Sequence, residues 1–139
     1  MIVFSRLLIS FSLALGALSM PALAADKAPL FINLTTDEPH RANMAIAFGK
    51  NQFERGHALT IFLNDRGVFV GSKAQAGKFA SHQKALGELA GKGATVLICP
   101  MCMKHYGVGE GDLISGVRVG NPELTEKALF EGNTKSLTW

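Results

Sequence analysis

Past residue 29, apolar positions follow two rhythms along the chain. Short runs rich in β-branched and aromatic residues alternate with longer stretches of helical spacing. LFINLT, residues 30–35, reads as a first strand. From Arg41 to Arg55, Met44, Ala45, Ala47, Phe48 and Phe53 recur at helical spacing, with Arg41, Lys50, Gln52 and Glu54 on the other face. Thr36 or Asp37 is the expected cap, Pro39 suits the first turn and Gly56 the stop. HALTIFLN, 57–64, predicts a second strand. Residues 65–80 are glycine-rich and irregular, with one apolar cluster at Val68, Phe69 and Val70, and predict a long connection over a site.

A second helix is expected from Ser81 as cap, with Leu86 and Leu89 inward and Gly91 and Gly93 at its end. ATVLICP, 94–100, is apolar throughout, as a strand covered on both faces should be. MCMKHYGV opens a third helix that Gly107 would end. A turn of helix at Asp112–Ile114 and a short strand at Val117–Val119 follow. NPELTEKALFEG predicts a fourth helix, with Asn121 as cap, Pro122 first, Glu123 in the first turn and Gly132 as stop. TKSLTW supplies a last strand.

Such alternation means parallel pairing and right-handed crossovers, hence a small α/β sandwich of four or five strands. Reactive groups in such folds sit just beyond the carboxyl ends of strands. Cys99 lies at the end of the third strand, and Asp37 and Asp65 follow the first two, on the same expected rim.

The first 24 residues stand outside this pattern. Arg6, an apolar stretch from Leu7 to Leu18 and the small-residue motif Ala22-Leu23-Ala24 have the layout of a cleaved secretory signal peptide. The stretch is shorter than the about 20 apolar residues of a spanning helix and is broken by Ser10, Ser12 and Gly16. We therefore expect a signal peptide over 1–24, a single domain over 25–139, periplasmic location and no membrane span after cleavage. Without Arg6 the chain carries 13 basic against 11 acidic residues, a net +2. That balance, with no arginine-rich run and no basic stripe with interleaved aromatics, argues against nucleic acid as a partner.

Both cysteines fall in ICPMCMKHYG, as Cys99 and Cys102. In an exported chain a cysteine pair usually means one disulfide. The loop closed here is so short that a bridge would restrict the unfolded chain very little. Sulfur chemistry explains the spacing better. A thiol reacts as its thiolate, which a helix amino terminus favours. Cys99 sits at the expected start of the third helix and Cys102 in its first turn, with Lys104 and His105 as nearby positive or chargeable groups. Haem attachment needs histidine directly after the second cysteine, where Met103 stands. Structural zinc wants four ligands, and Cys99, Cys102 and His105 give three. Copper(I) is served by soft sulfur, and Met101 and Met103 flank Cys102, but residues so spaced on a helix cannot both face the cysteines' way. Core packing is the plainer role for the methionines. His40, His57 and His82 read as surface or capping residues, and the sequon at Asn33 falls in an expected buried strand.

Three stretches in order resemble the DsrE/DsrF-like family of small sulfur-relay proteins: LFINLTTDEPHRANMAIAFGKNQFERGHALTIFLNDRGV, ICPMCMKHYGV and DLISGVRVGNPELTEKALFEG. The resemblance implies a three-layer α/β sandwich, with a mostly parallel sheet and helices on both faces. It implies homotrimers or homohexamers, and a cysteine in this loop that carries sulfur as a persulfide between proteins. By position that cysteine is Cys99. Cys102 and the leader depart from the best-known members, which are cytoplasmic. The expected activity is a periplasmic sulfur carrier or thiol-redox protein, a possible sulfurtransferase. Cys99 would accept sulfane sulfur, Cys102 would resolve the adduct, and Lys104 and His105 would favour the thiolate. Donor and acceptor proteins, or small sulfane sulfur compounds, would be its partners, and no cofactor is called for. The alternatives are a copper(I)-binding module and a non-catalytic interaction subunit.

Overall fold

The computed structural model describes residues 27–139, so the expected signal peptide lies outside the described residues. Five strands alternate with four helices: β1 Leu30–Leu34, α1 Pro39–Glu54, β2 Leu59–Leu63, α2 Ala76–Gly91, β3 Thr95–Ile98, α3 Pro100–Tyr106, β4 Val117–Val119, α4 Pro122–Phe130 and β5 Lys135–Thr138. The sheet order is β4-β3-β2-β1-β5, and every pair is parallel. The expected sheet of four or five strands has five.

Period-two alternation sorts the strand side chains onto two unequal faces. Leu30, Ile32 and Leu34 of β1, Leu59, Ile61 and Leu63 of β2, and Val96 and Ile98 of β3 enter one buried cluster with residues of α1, α2 and α3. Phe31 and Leu97 are buried outside that cluster, on the opposite face. There Phe31, Phe62 and Asn33 share a cleft with Thr125 and Leu129 of α4. The layers are thus α1–α3, sheet and α4. The last layer is thin: α4 has no buried residue, and Phe130 is 79% exposed.

The helical pattern of α1 is real but its inward face is rotated. Ala42, Ala45, Ile46 and Gly49 are buried, whereas Met44 and Phe48 are exposed. Small residues face the sheet because the helix lies close to it: a Cβ on Gly49 would come within 2.8 Å of Ile32. The cap is Glu38, not Thr36 or Asp37. Its carboxylate accepts from the N–H groups of His40 and Arg41, while Thr36 Oγ1 accepts from Glu38 N–H.

The connection after β2 is the larger correction. Residues Asp65–Gly71 and Lys73–Gln75 form two 3₁₀ turns, and α2 begins at Ala76 rather than after Ser81. Phe79 has non-helical angles, which mark the junction that glycines and small residues obscure in the pattern. Val68 and Val70 are fully buried, so the segment is part of the core as well as a cover. His82, read as a surface or capping residue, is also buried, with Nε2 hydrogen-bonded to the carbonyl of Pro39. After α3 the turn of helix falls at Glu110–Asp112, just before the expected place. Helix α4 stops at Phe130.

Gly67 fixes how this segment leaves the sheet. A Cβ there would lie 2.0 Å from the carbonyl oxygen of Leu34, at the end of β1. Gly67→Ala should therefore lower stability by about 3 kcal/mol in urea denaturation. Gly87→Ala, within α2 and with only ordinary contact to Ser115 at 3.9 Å, should instead raise it by about 0.5–1 kcal/mol.

Candidate functional site

The hydrogen-bond ladders run on past the strands. Asn64 N–H donates to Leu34 O, Cys99 N–H to Leu63 O and Gly120 N–H to Ile98 O, at 3.0, 2.9 and 2.8 Å. Each bond ties the exit of one strand to the end of its neighbour. The exits of β1, β2 and β3 are thereby gathered on one rim, and the chemistry-bearing side chains stand there.

Cys99 is the cap residue of α3, in extended backbone conformation, with Pro100 as the first helical residue. Proline has no N–H to leave unsatisfied at that position. Cys99 Sγ accepts the N–H of Cys102 at 3.4 Å. Gly107, with φ 70°, ends the helix in the left-handed region that a Cβ disfavours. Both cysteines are free thiols and half-buried. The expected placement of the pair is the observed one.

Cys102 has a second neighbour. Its Sγ accepts the backbone N–H of Asp65, from the segment after β2, at 3.1 Å. Burial pushes the Cys102 thiol up from its ordinary value, a hydrogen bond with Cys99 adds to this, and the Asp65 N–H opposes it. The net effect disfavours the Cys102 thiolate.

Asp65 also accepts a hydrogen bond from the hydroxyl of Tyr106 on α3. That bond pushes the Tyr106 phenol up. Beside it, Arg66 makes a bidentate pair with Asp37 at 2.7 and 2.8 Å, and Lys78 reaches the same carboxylate at 3.2 Å. The Arg66 guanidinium lies 5.4 Å from the Phe69 ring centroid and 6.0 Å from that of Tyr106. Asp37 and Asp65 do share the rim with the cysteines, as their places after the strands implied.

Lys104 and His105 are placed differently. They occupy the last turn of α3 and are exposed. The His105 ring packs edge-on against Tyr106, and no hydrogen bond or ion pair joins either residue to a sulfur. Tyr106, Arg66 and Lys78 were missed in the sequence. Tyr106 had one available signal, its spacing of four from Cys102, which puts both side chains on one helix face. The methionines take opposite sides: Met101 is 80% exposed and Met103 only 4%. Met103 packs into the core, so the four sulfurs do not gather. Among the described residues no group of three or more His, Cys, Asp or Glu is placed to hold a metal ion.

The Arg66 hydrogen bond, opposed by burial and aided by Lys78, holds the Asp37 carboxyl down at about 2, from an ordinary 3.8. A carboxyl depressed on folding contributes stability above its unfolded value, and that stability is lost as pH falls through the folded one. Stability should therefore drop by about 1 kcal/mol between roughly pH 4 and pH 2, after discounting for solvent screening. Chemical denaturation across that range should show a shallower loss in Asp37→Asn.

A model of the DsrE/DsrF-like family matches residues 28–133. The uncharacterized protein MK0008 of Methanopyrus kandleri is 34% identical over 80 residues, 57% of this chain and 66% of the relative. This chain therefore spans just under two thirds of that relative's length. The uncharacterized protein MJ0989 of Methanocaldococcus jannaschii is 31% identical over 93 residues, 64% of this chain and 82% of the relative. Among solved structures, the protein of unknown function MTH1491 from Methanobacterium thermoautotrophicum superposes with a TM-score of 0.63 at 16% identity, over 79% of this chain and 99% of its own. The ychN protein of E. coli gives 0.62 at 22%, over 81% and 99%. These likenesses carry the fold alone. With a family match over more than half its length, the chain belongs to the DsrE/DsrF-like family.

Proposed function

We propose that this chain is a persulfide carrier that works in the periplasm after loss of residues 1–24. Membership of the family points to a role of the sulfur-relay type. The observation that carries the reading is the pair of free thiols at the end of β3, with Cys99 Sγ receiving a backbone N–H and Cys102 Sγ beside it. Backbone donors at a helix start suit a sulfur that must bear negative charge.

The Cys99 thiolate attacks the outer sulfur of a persulfide donor, R–S–SH. The donor S–S bond breaks, RS⁻ leaves with the electron pair, and Cys99–S–SH remains. An acceptor thiolate then takes the outer sulfur and restores the Cys99 thiolate. In the second branch Cys102, once deprotonated, attacks the inner sulfur. A Cys99–Cys102 disulfide forms, hydrosulfide leaves, and a partner dithiol later reduces the bridge. The raised Cys102 thiol slows this branch, since its thiolate is the attacking species. Lys104 and His105, exposed on α3, act on the thiolate only as screened charges. Donors and acceptors are small sulfane sulfur compounds or proteins, and a trimer or hexamer is the assembly we propose.

Intact mass after incubation with polysulfide tests the reading. A reductant-sensitive gain of ~32 Da, absent in Cys99→Ser, is expected. Cys102→Ser should load normally and keep its persulfide longer. Normal loading of Cys99→Ser overturns the assignment. A mass fixed at the disulfide value whatever the donor overturns carriage itself. For the leader, protein recovered from the periplasmic fraction should begin at Ala25, and a mass that retains residues 1–24 would refute export by cleavage.

A further inference from the structure

Among the described residues, Asp65 is the one residue other than glycine with positive φ, at 45°. An L side chain in that region costs backbone energy and persists only where neighbours over-determine it. Two groups on one helix do so here. Cys102 and Tyr106, one turn apart on α3, grip the same residue: Cys102 Sγ takes the Asp65 N–H, and the Tyr106 hydroxyl donates to its carboxylate. Phe69 backs the grip, its ring 5.2 Å from that of Tyr106. Arg66, the next residue, is tied to Asp37 on the other side.

We propose that Asp65, latched by Tyr106, is a positioning residue for Cys102: its left-handed backbone aims an N–H at that sulfur and sets how readily Cys102 reacts. The inference rests on the carrier reading only in making Cys102 the resolving thiol. Asp65 acts in two opposed ways. Its N–H stabilises charge on the sulfur, and its carboxylate resists it. The other titratable groups facing Cys102 are Cys99 and Tyr106. The latch decides which influence of Asp65 prevails, because it holds the N–H on the sulfur and turns the carboxylate to the phenol.

The alkylation rate of Cys102 by iodoacetamide, followed from pH 6 to 10 in a Cys99→Ser background, reads this directly and requires no sulfur transfer. Asp65→Asn keeps a residue that tolerates the left-handed region and an oxygen for Tyr106, but drops the charge. Its profile should move to lower pH, with about a 3–10-fold faster rate at pH 7.5. Tyr106→Phe keeps the ring but frees Asp65 to swing its N–H away. That profile should move to higher pH, with about a 2–5-fold slower rate at pH 7.5. Opposite shifts in two variants with parental circular dichroism establish the positioning role. An unmoved Tyr106→Phe profile, or shifts of the same sign, overturns it. If either variant fails to fold, Tyr106→Leu, which removes the phenol and adds no donor or charge, must reproduce the upward shift or the proposal falls. Failure of polysulfide loading would leave these rates unchanged, so the two readings fail separately.

Discussion

Parallel pairing sends every strand of this sheet out at the same edge. Four parallel pairings, each extended by a hydrogen bond beyond the strand end, hold the exits of β1, β2 and β3 in fixed stagger. Asp37, Asp65 and Cys99 are far apart in sequence, and this register alone makes them neighbours. The side-chain bonds around them, from Arg66 and Lys78 to Asp37 and from Tyr106 to Asp65, are exposed and individually weak. They orient the site; the ladder places it.

Within that frame the two cysteines have unlike surroundings. Cys99 caps α3 and belongs to the strand exit. Cys102 belongs to the helix, and its sulfur is held by a different loop. A pair of thiols three residues apart is thus supported from two elements, so a shift of α3 relative to the segment after β2 changes the environment of one thiol more than the other. Asymmetry of this kind lets one sulfur act as carrier while its neighbour waits.

Strands β1–β3, the helices and the parallel order were legible because buried apolar runs and, at α3 and α4, cap residues leave strong local marks. Asn121-Pro122 and Cys99-Pro100 are examples, and Gly107 is another. What escaped was decided by contacts distant in sequence. The inward face of α1 depends on how closely Gly49 approaches Ile32, and not on which residues are most apolar. Residues 65–80 looked like loop because Gly67 and Gly71 are there for packing, against Leu34 and Leu63. The cysteine pair was readable from spacing and from its place after β3. The Asp65–Tyr106 and Arg66–Asp37 partnerships were not, since they join residues 41 and 29 positions apart. Lys104 and His105 were drawn to the site by proximity along the chain, and the turn of α3 puts them off the face that Cys102 and Tyr106 share.

The unequal layers have a consequence for how the molecule breathes. The face covered by α1–α3 seals eight strand side chains into one cluster, while the opposite face rests on a helix with no buried residue. Strand β5 is exposed at all four positions and pairs only with β1. Local opening follows the least buried contacts. Amide protons of α4 and β5 are therefore expected to exchange before those of β1, β2 and β3. The rim that carries Cys99 and Cys102 sits on the slow part, so the thiols keep their geometry through the commonest native-state excursions.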